Sequence, residues 1–333
     1  MPNNSYVCDS IMDATGRTPL VALKDLGADS GVHAYAKLES FNPGGSAKDR
    51  TAAAMVDDAR QAGLLGPGAV AVESSSGNLG VALARQAVVG GWDFHCVVDP
   101  RVNEATATYM RALGTTVHMV TEPDPATGDW LIARRTRVAE LIEELGGAVN
   151  FDQYSNQAAF RAHEQGTMAE IVDTLDAAPD YLFVAVSTTG TLGGCQRYLA
   201  SHGMDTTVVA VDAAGSVLFG GERGERVLPG YGAGVPTELS RAVHPDEVVR
   251  VEALDAIIGA RRLARTEAIL PGASGGAVVA AFEQFAPRMS PGETAVLIFH
   301  DDGRLYLDTV YSDEWVCATL GVELPQLNER IMQ

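Results

Sequence analysis

The chain has few cysteines, no surplus of basic residues and no long apolar run, and each of these shortages removes a class of function. Its four cysteines, Cys8, Cys96, Cys195 and Cys317, are scattered over 333 residues. They form no C-x-x-C pair and have no neighbouring histidine set, so neither a redox dithiol nor a bound metal is expected. They read instead as reduced thiols used for packing. Against 43 Asp and Glu stand only 24 Lys and Arg, a formal charge of -19. Such a surface repels nucleic-acid phosphates and anionic membranes, which leaves small-molecule chemistry as the expectation. No stretch reaches the ~18 uninterrupted apolar residues of a membrane span. The opening MPNNSYVCDSIMDATG lacks a basic start followed by an apolar run, so a soluble cytoplasmic protein is expected. No repeat and no low-complexity tract is visible.

What is present is a chain of 46% hydrophobic residues, long enough for one large or two modest α/β domains and too apolar for disorder. Short β-branched runs at 68–73, 94–99, 116–120, 181–186, 207–212 and 294–299 alternate with longer amphipathic segments. The patterning predicts helices over 50–62, 78–89, 103–113, 130–145, 157–175, 254–268 and 274–285. This rhythm argues for mostly parallel sheets covered on both faces. The connections after Val120 and Gly215 are rich in Pro, Gly and charge; the first could mark a domain crossing and the second a mobile flap.

Four segments carry candidate chemistry. LESFNPGGSAKDR at 38–50 sets a glycine-rich turn before a helix with Lys48 in its first turn. The positive end of a helix opposes an ammonium and lowers its pKa, which suits an amine needed as a Schiff-base nucleophile. The plain alternative is a solvated lysine beside a cap formed by Ser46. ESSSGNLG at 73–80 follows a strand and opens a helix, so Ser74, Ser75, Ser76 and Asn78 could cradle a carboxylate or phosphate. An ordinary N-cap with surplus serines is the alternative. VSTTGTLGG at 186–194 repeats the strand-loop-helix arrangement with small residues whose amides could surround a phosphate, or could simply make a tight turn. No Walker lysine follows it, and no G-x-G-x-x-G stands after any strand, which sets aside a dinucleotide oxidoreductase. LPGASGGA at 270–277 places Ser274 at a helix start, where by itself it reads as a capping serine.

In this order and spacing the four segments resemble the fold-type II pyridoxal-phosphate (PLP) enzymes, specifically the cysteine synthase and cystathionine β-synthase family, from TPLVAL at 18–23 through YLDTVYSDEWV at 306–316. The resemblance implies two three-layer α/β/α domains: a larger PLP-binding one of residues 1–45 and 155–333, and a smaller substrate-gripping one of residues 46–154. It implies that Lys48 carries the cofactor and that Asn78 bonds its ring oxygen. Ser187, Thr188, Thr189, Gly190 and Thr191 would form the phosphate cup, and Ser274 would face the pyridine nitrogen. Ser75, Ser76, Gly77, Leu79 and Gln153 would hold the substrate carboxylate. A serine opposite the ring nitrogen leaves it unprotonated, which favours prompt β-elimination over transamination or racemisation. A homodimer is the family precedent.

Tyr154 stands where the family usually has Phe, and Ser187 where it usually has Gly. With EPDPATGDWLIARRTRV at 122–138 these features are similar to the siderophore-pathway N-(2-amino-2-carboxyethyl)-L-glutamate synthases, which join O-phospho-L-serine to the amine of L-glutamate. That likeness implies Tyr154, Ser187 and Arg134 around phosphoserine and the second substrate, the planar guanidinium suiting a phosphate or carboxylate. Arg134 could equally be a surface residue of an amphipathic helix, with Arg135 or Arg137 in its place. Pro271 and Gly275 break the usual G-G-S-S-G pattern, and HDDGRLYL at 300–307 replaces the commoner P-D-x-G-x-R-Y-L. The competing readings are a cysteine synthase using O-acetyl- or O-phosphoserine with sulfide, and a non-catalytic PLP-fold sensor or partner subunit.

Overall fold

The computed structural model describes residues 7–332. In chain order the elements begin with β1 (Leu20–Ala22), β2 (His33–Leu38), α1 (Lys48–Gln61), β3 (Val70–Ser74), α2 (Asn78–Gly90), β4 (Asp93–Val98) and α3 (Glu104–Ala112). Next come β5 (Thr116–Met119), α4 (Trp130–Glu144), β6 (Val149–Asn150), α5 (Ala158–Ala162), a π-turn (His163–Met168) and α6 (Ala169–Leu175). The remainder runs through β7 (Tyr181–Ala185), α7 (Gly190–His202), β8 (Thr207–Ala213), β9 (Glu247–Val251), α8 (Ala253–Thr266) and α9 (Ala273–Phe285). It closes with β10 (Thr294–Phe299), α10 (Asp313–Leu320) and α11 (Leu324–Met332). None of these helices is long and apolar enough to cross a membrane.

The chain divides into two compact units, residues 7–17 with 42–152 and residues 18–41 with 153–332. Residues 18–41 group with the larger unit and residues 7–17 with the smaller. A hydrogen bond from the Gly16 amide to Asn42 Oδ1 at 2.8 Å is one of the ties that put them there.

The smaller unit is built on a four-stranded parallel sheet of order β5-β4-β3-β6. Its central strands β3 and β4 lie between two neighbours, and Ala71, Val72, Val97 and Val98 are fully enclosed. On α4 the buried residues Arg134, Val138 and Leu141 recur at helical spacing, and the two apolar ones join Val72 and Val97 in one core. Gly80 lets α2 approach its neighbours closely, since a Cβ there would stand 2.6 Å from Met110 Sδ.

The larger unit carries a six-stranded sheet of order β1-β2-β10-β7-β8-β9, parallel except for the β1–β2 pair. Strand β10 is central, and Ala295 to Ile298 are wholly buried, the continuous apolar run expected of a parallel strand covered on both faces. Helix α9 is apolar but for Ser274, Glu283 and Gln284, and is buried along almost its whole length. Its glycines explain how it packs so tightly on α8: a Cβ on Gly276 would stand 2.1 Å from the Ala256 carbonyl, and one on Gly259 would stand 2.5 Å from the Gly276 carbonyl. Strands β1, β2, β6 and β9 were not anticipated from the sequence. The helix read over 157–175 contains the π-turn.

Candidate active site

In the smaller unit Lys48 is the first residue of α1, and no side chain caps that helix at its N-cap position, Ala47. The cap read for Ser46 takes a different form: its Oγ accepts from the Lys48 amide at 3.2 Å, two residues on. Asp49, next in the first turn, accepts from the Gly44 amide at 2.9 Å and so ties the glycine-rich turn to the helix. Gly44 has no room for a side chain, because a Cβ would meet the Asp49 carboxylate at 2.4 Å.

The serine loop after β3 is shaped by Ser75. Its Oγ accepts from the Gly80 amide at 3.0 Å and more distantly from the Gly77 amide at 3.4 Å, and its carbonyl accepts from the Cys96 thiol at 3.1 Å. Burial, above all, pushes the Cys96 thiol up to about 12, so it is a structural donor. Ser75 is therefore committed to the fold of the loop, while Ser76, Gly77 and Asn78 at the mouth of α2 are half-buried. Leu79 is buried below them.

Arg134 is not a surface residue. It is buried on the same stripe of α4 as Val138 and Leu141, with its Nη1 donating to Ser76 Oγ at 3.0 Å. Its Nε stands 3.2 Å from Asp99 Oδ2. Arg135 is exposed, and Arg137 spends itself on Glu140 and Glu144, so of the three arginines only Arg134 reaches the serine loop. Asp99 follows β4 directly and also accepts from Arg101, whose Nε and Nη2 lie 3.1 and 2.8 Å from its two oxygens. Burial works to raise the Asp99 carboxyl, but the Arg101 hydrogen bonds and the Arg134 charge outweigh it and hold the group below the ordinary carboxylate range. Asp99 and Arg101 had not been singled out from the sequence. Their position just beyond the carboxyl end of a parallel strand was the available signal.

In the larger unit the loop after β7 leads into α7. Thr189 adopts φ 69° as the N-cap, with no side-chain cap bond, so the first-turn amides of α7 have neither an intrahelical partner nor a capping side chain. Gly190 sits so near α5 that a Cβ would meet Ala159 at 2.9 Å. Ser187 Oγ donates to the Gly232 carbonyl at 3.1 Å and the Thr237 hydroxyl is 3.4 Å from the Thr188 carbonyl. The connection after Gly215 is thereby tied to this loop, and it is anchored further by the Gly232 amide on the Val186 carbonyl at 2.6 Å and by buried Leu228 and Tyr231. Thr191 Oγ1 lies 3.2 Å from a ring nitrogen of His163 and 3.2 Å from one of His300. Neither histidine stood out as a site residue in the sequence: His163 falls at a helix interior, and His300 was noted only as the first residue of the departing HDDGRLYL segment.

Ser274 is not the cap of α9. Gly272 holds that position, and Ser274 is the second helical residue, 2% exposed, so a capping duty does not account for it. The sequence departures nearby are coupled: a Cβ on Gly275 would strike Pro271 Cβ at 2.7 Å, and Pro271 bridges to Asp302. Glycine at 275 makes room for proline at 271. Gln153 is buried, and Tyr154, beside it, is half-buried with its carbonyl accepting from Leu239.

A model of the family described as "Pyridoxal-phosphate dependent enzyme" matches residues 11–301. Among solved structures, O-ureido-L-serine synthase is similar at 30% identity, covering 95% of this chain and 100% of its own, with a TM-score of 0.84. A hydrogen sulfide-producing enzyme from Fusobacterium nucleatum shares 28% identity over 90% of this chain and 100% of its own, at 0.84. An O-acetylserine dependent cystathionine beta-synthase from Helicobacter pylori shares 26% over 92% and 100%, at 0.85.

Proposed function

This chain belongs to the family of pyridoxal-phosphate-dependent enzymes and catalyses β-substitution, and from that premise we propose that its donor is O-phospho-L-serine and its acceptor the amine of L-glutamate. The products are N-(2-amino-2-carboxyethyl)-L-glutamate and inorganic phosphate. The observation that carries the donor assignment is buried Arg134, held 3.0 Å from Ser76 in the serine loop.

The residues present fit the cofactor. An uncapped helix start with a left-handed Thr189 and small neighbours is a phosphate cradle, and a buried Ser274 hydroxyl off any capping duty suits a ring nitrogen. In this reading Lys48 would hold the cofactor through its aldehyde, Asn78 through its ring oxygen, Ser187 to Thr191 through its phosphate and Ser274 through its pyridine nitrogen. When bound, pyridoxal phosphate supplies an electron-withdrawing ring that acidifies the substrate Cα–H and lets the β-substituent leave.

The Lys48 amine would take the Cα proton and return it after the acceptor amine has bonded to Cβ. Ser76, Gly77 and Gln153 orient the substrate carboxylate, with Ser75 and Leu79 fixing the shape of the loop. Arg134 receives the negative charge of the departing phosphate, and Tyr154 and Ser187 bound the space for the two substrates.

The similarity to an O-acetylserine dependent cystathionine beta-synthase favours a second reading, in which O-acetyl-L-serine is the donor and sulfide or a thiol the acceptor. A panel pairing phosphoserine and acetylserine with glutamate, sulfide and other amines, scored by product mass, separates the two. Phosphate release that requires glutamate supports the first. Turnover of acetylserine with sulfide and none of phosphoserine would replace it with the second, and no turnover with any pair would remove both donor assignments. A homodimer acting in the cytoplasm completes the proposal.

A further inference from the structure

The carboxylate of Asp99 is buried and shared by two guanidiniums that hold it differently. Arg101 grips it through Nε and Nη2, and its own backbone amide adds a third bond to Oδ1 at 3.0 Å. Arg134 only lies alongside: its Nε is 3.2 Å from Oδ2 but makes no hydrogen bond, while its Nη1 points to Ser76. Arg101 therefore has first claim on the carboxylate. One acid against two guanidiniums leaves a net charge of +1, and the geometry leaves it on the arginine at the serine loop.

We propose that Arg101 is a specificity-determining residue which, by neutralising Asp99, frees the charge of Arg134 for a donor whose leaving group is a dianion. The inference rests on the donor reading given above and deepens it. Arg101 does so from the surface, 61% exposed and laid over the Trp130 ring at 5.7 Å. Its removal does not open the core, and its influence on Arg134 passes partly through solvent, where salt screens it. Without Arg101 the Asp99 carboxylate turns wholly to Arg134, and the cluster becomes neutral. Arg101→Lys keeps the charge and loses only the fork.

The test measures wild type, Arg101→Gln and Arg101→Lys, each loaded with cofactor, on two probes at low and high ionic strength. O-phospho-L-serine is titrated both as a substrate and as an inhibitor of O-acetyl-L-serine turnover. Arg101→Gln is expected to weaken phosphoserine binding about fivefold, in KM or in the inhibition constant rather than in kcat. Acetylserine KM should hold within about twofold, and the variant should lose most of the salt dependence that phosphoserine shows with wild type. Arg101→Lys should recover most of the difference.

Equal weakening toward both probes, or none toward phosphoserine, overturns the role of Arg101. If wild type never turns phosphoserine over yet Arg101→Gln still weakens its inhibition, the donor reading falls and the Arg101 assignment stands. If phosphoserine is turned over and the variant keeps the same preference, the opposite holds. No interaction of phosphoserine with wild type in either format sinks both.

Discussion

The thiol of Cys96 donates to the carbonyl of Ser75 across 3.1 Å and so fastens strand β4 to the serine loop. A thiol pushed up to about 12 by burial is almost wholly protonated at neutral pH, and only the thiolate attacks. Cys96 and Cys195 are buried, whereas Cys8 and Cys317 are partly open. Labelling with a thiol-specific reagent at pH 8 should therefore modify two cysteines quickly in the native protein and four in denaturant. Rapid native labelling of Cys96, read by peptide mass, would contradict the geometry.

The α8–α9 contact leaves no room for a side chain on either glycine. Gly276→Ala pushes a methyl into the Ala256 carbonyl, and overpacking of this kind costs about 1–3 kcal/mol. A melting temperature several degrees lower is expected by calorimetry. Gly292→Ala serves as a contrast, because nothing lies within 4 Å of a Cβ there and its left-handed φ of 90° should cost backbone strain alone.

Asp212 is fully buried at the end of β8, with no hydrogen bond reaching its Oδ2 among the described residues. Burial is the main reason its carboxyl is raised, and the Ser216 hydroxyl, the Ala213 amide, Arg250 and Arg226 only partly offset it. With the folded value above the unfolded one, its contribution to stability is complete in acid and declines as pH rises through the folded value. Asp212→Asn should accordingly raise the melting temperature at pH 7 and have less effect near pH 4. An equal effect at both pH values would show that the charge is not the cause.

Lys48→Ala should fold normally yet lose the visible absorbance of the bound cofactor and all turnover, because no other amine stands at the head of α1. Arg134→Gln should cut kcat/KM for phosphoserine by at least about tenfold, since a buried charge-assisted contact is lost. Arg134→Lys should recover little, because one ammonium cannot span both Ser76 and the flank of Asp99. Steady-state kinetics on the two donors checks both variants.

The parallel core was legible because β3, β4, β7, β8 and β10 are short runs dominated by apolar, mostly β-branched or aromatic residues, as a doubly covered sheet needs. Strand β1 is only three residues long, with two of them exposed, and β9 carries a mixed pattern, so neither announces itself. The loops at 73–80 and 186–194 could be read because chemistry and local backbone agree there. Arg134 was ambiguous for an instructive reason. Its charge suggests a surface position, but it stands four residues from Val138 on the buried face of α4, and that spacing carries it inward. Asp99 and Arg101 pair locally, but the tie from Asp99 to Arg134 and those of His163 and His300 to Thr191 join residues distant in sequence, which no local pattern contains.

The π-turn of His163–Met168 holds one residue more than a regular helical turn would need, and this sets the rotational phase of everything after it. Upstream of the extra residue, His163 meets Thr191; downstream, Glu170 meets the ammonium of buried Lys37 at 2.6 Å. Deleting a single position here would tighten the helix and swing one of these partners about 100° away from its mate. The wide turn thus sets the phase between His163 and Glu170, each of which meets a partner outside the helix.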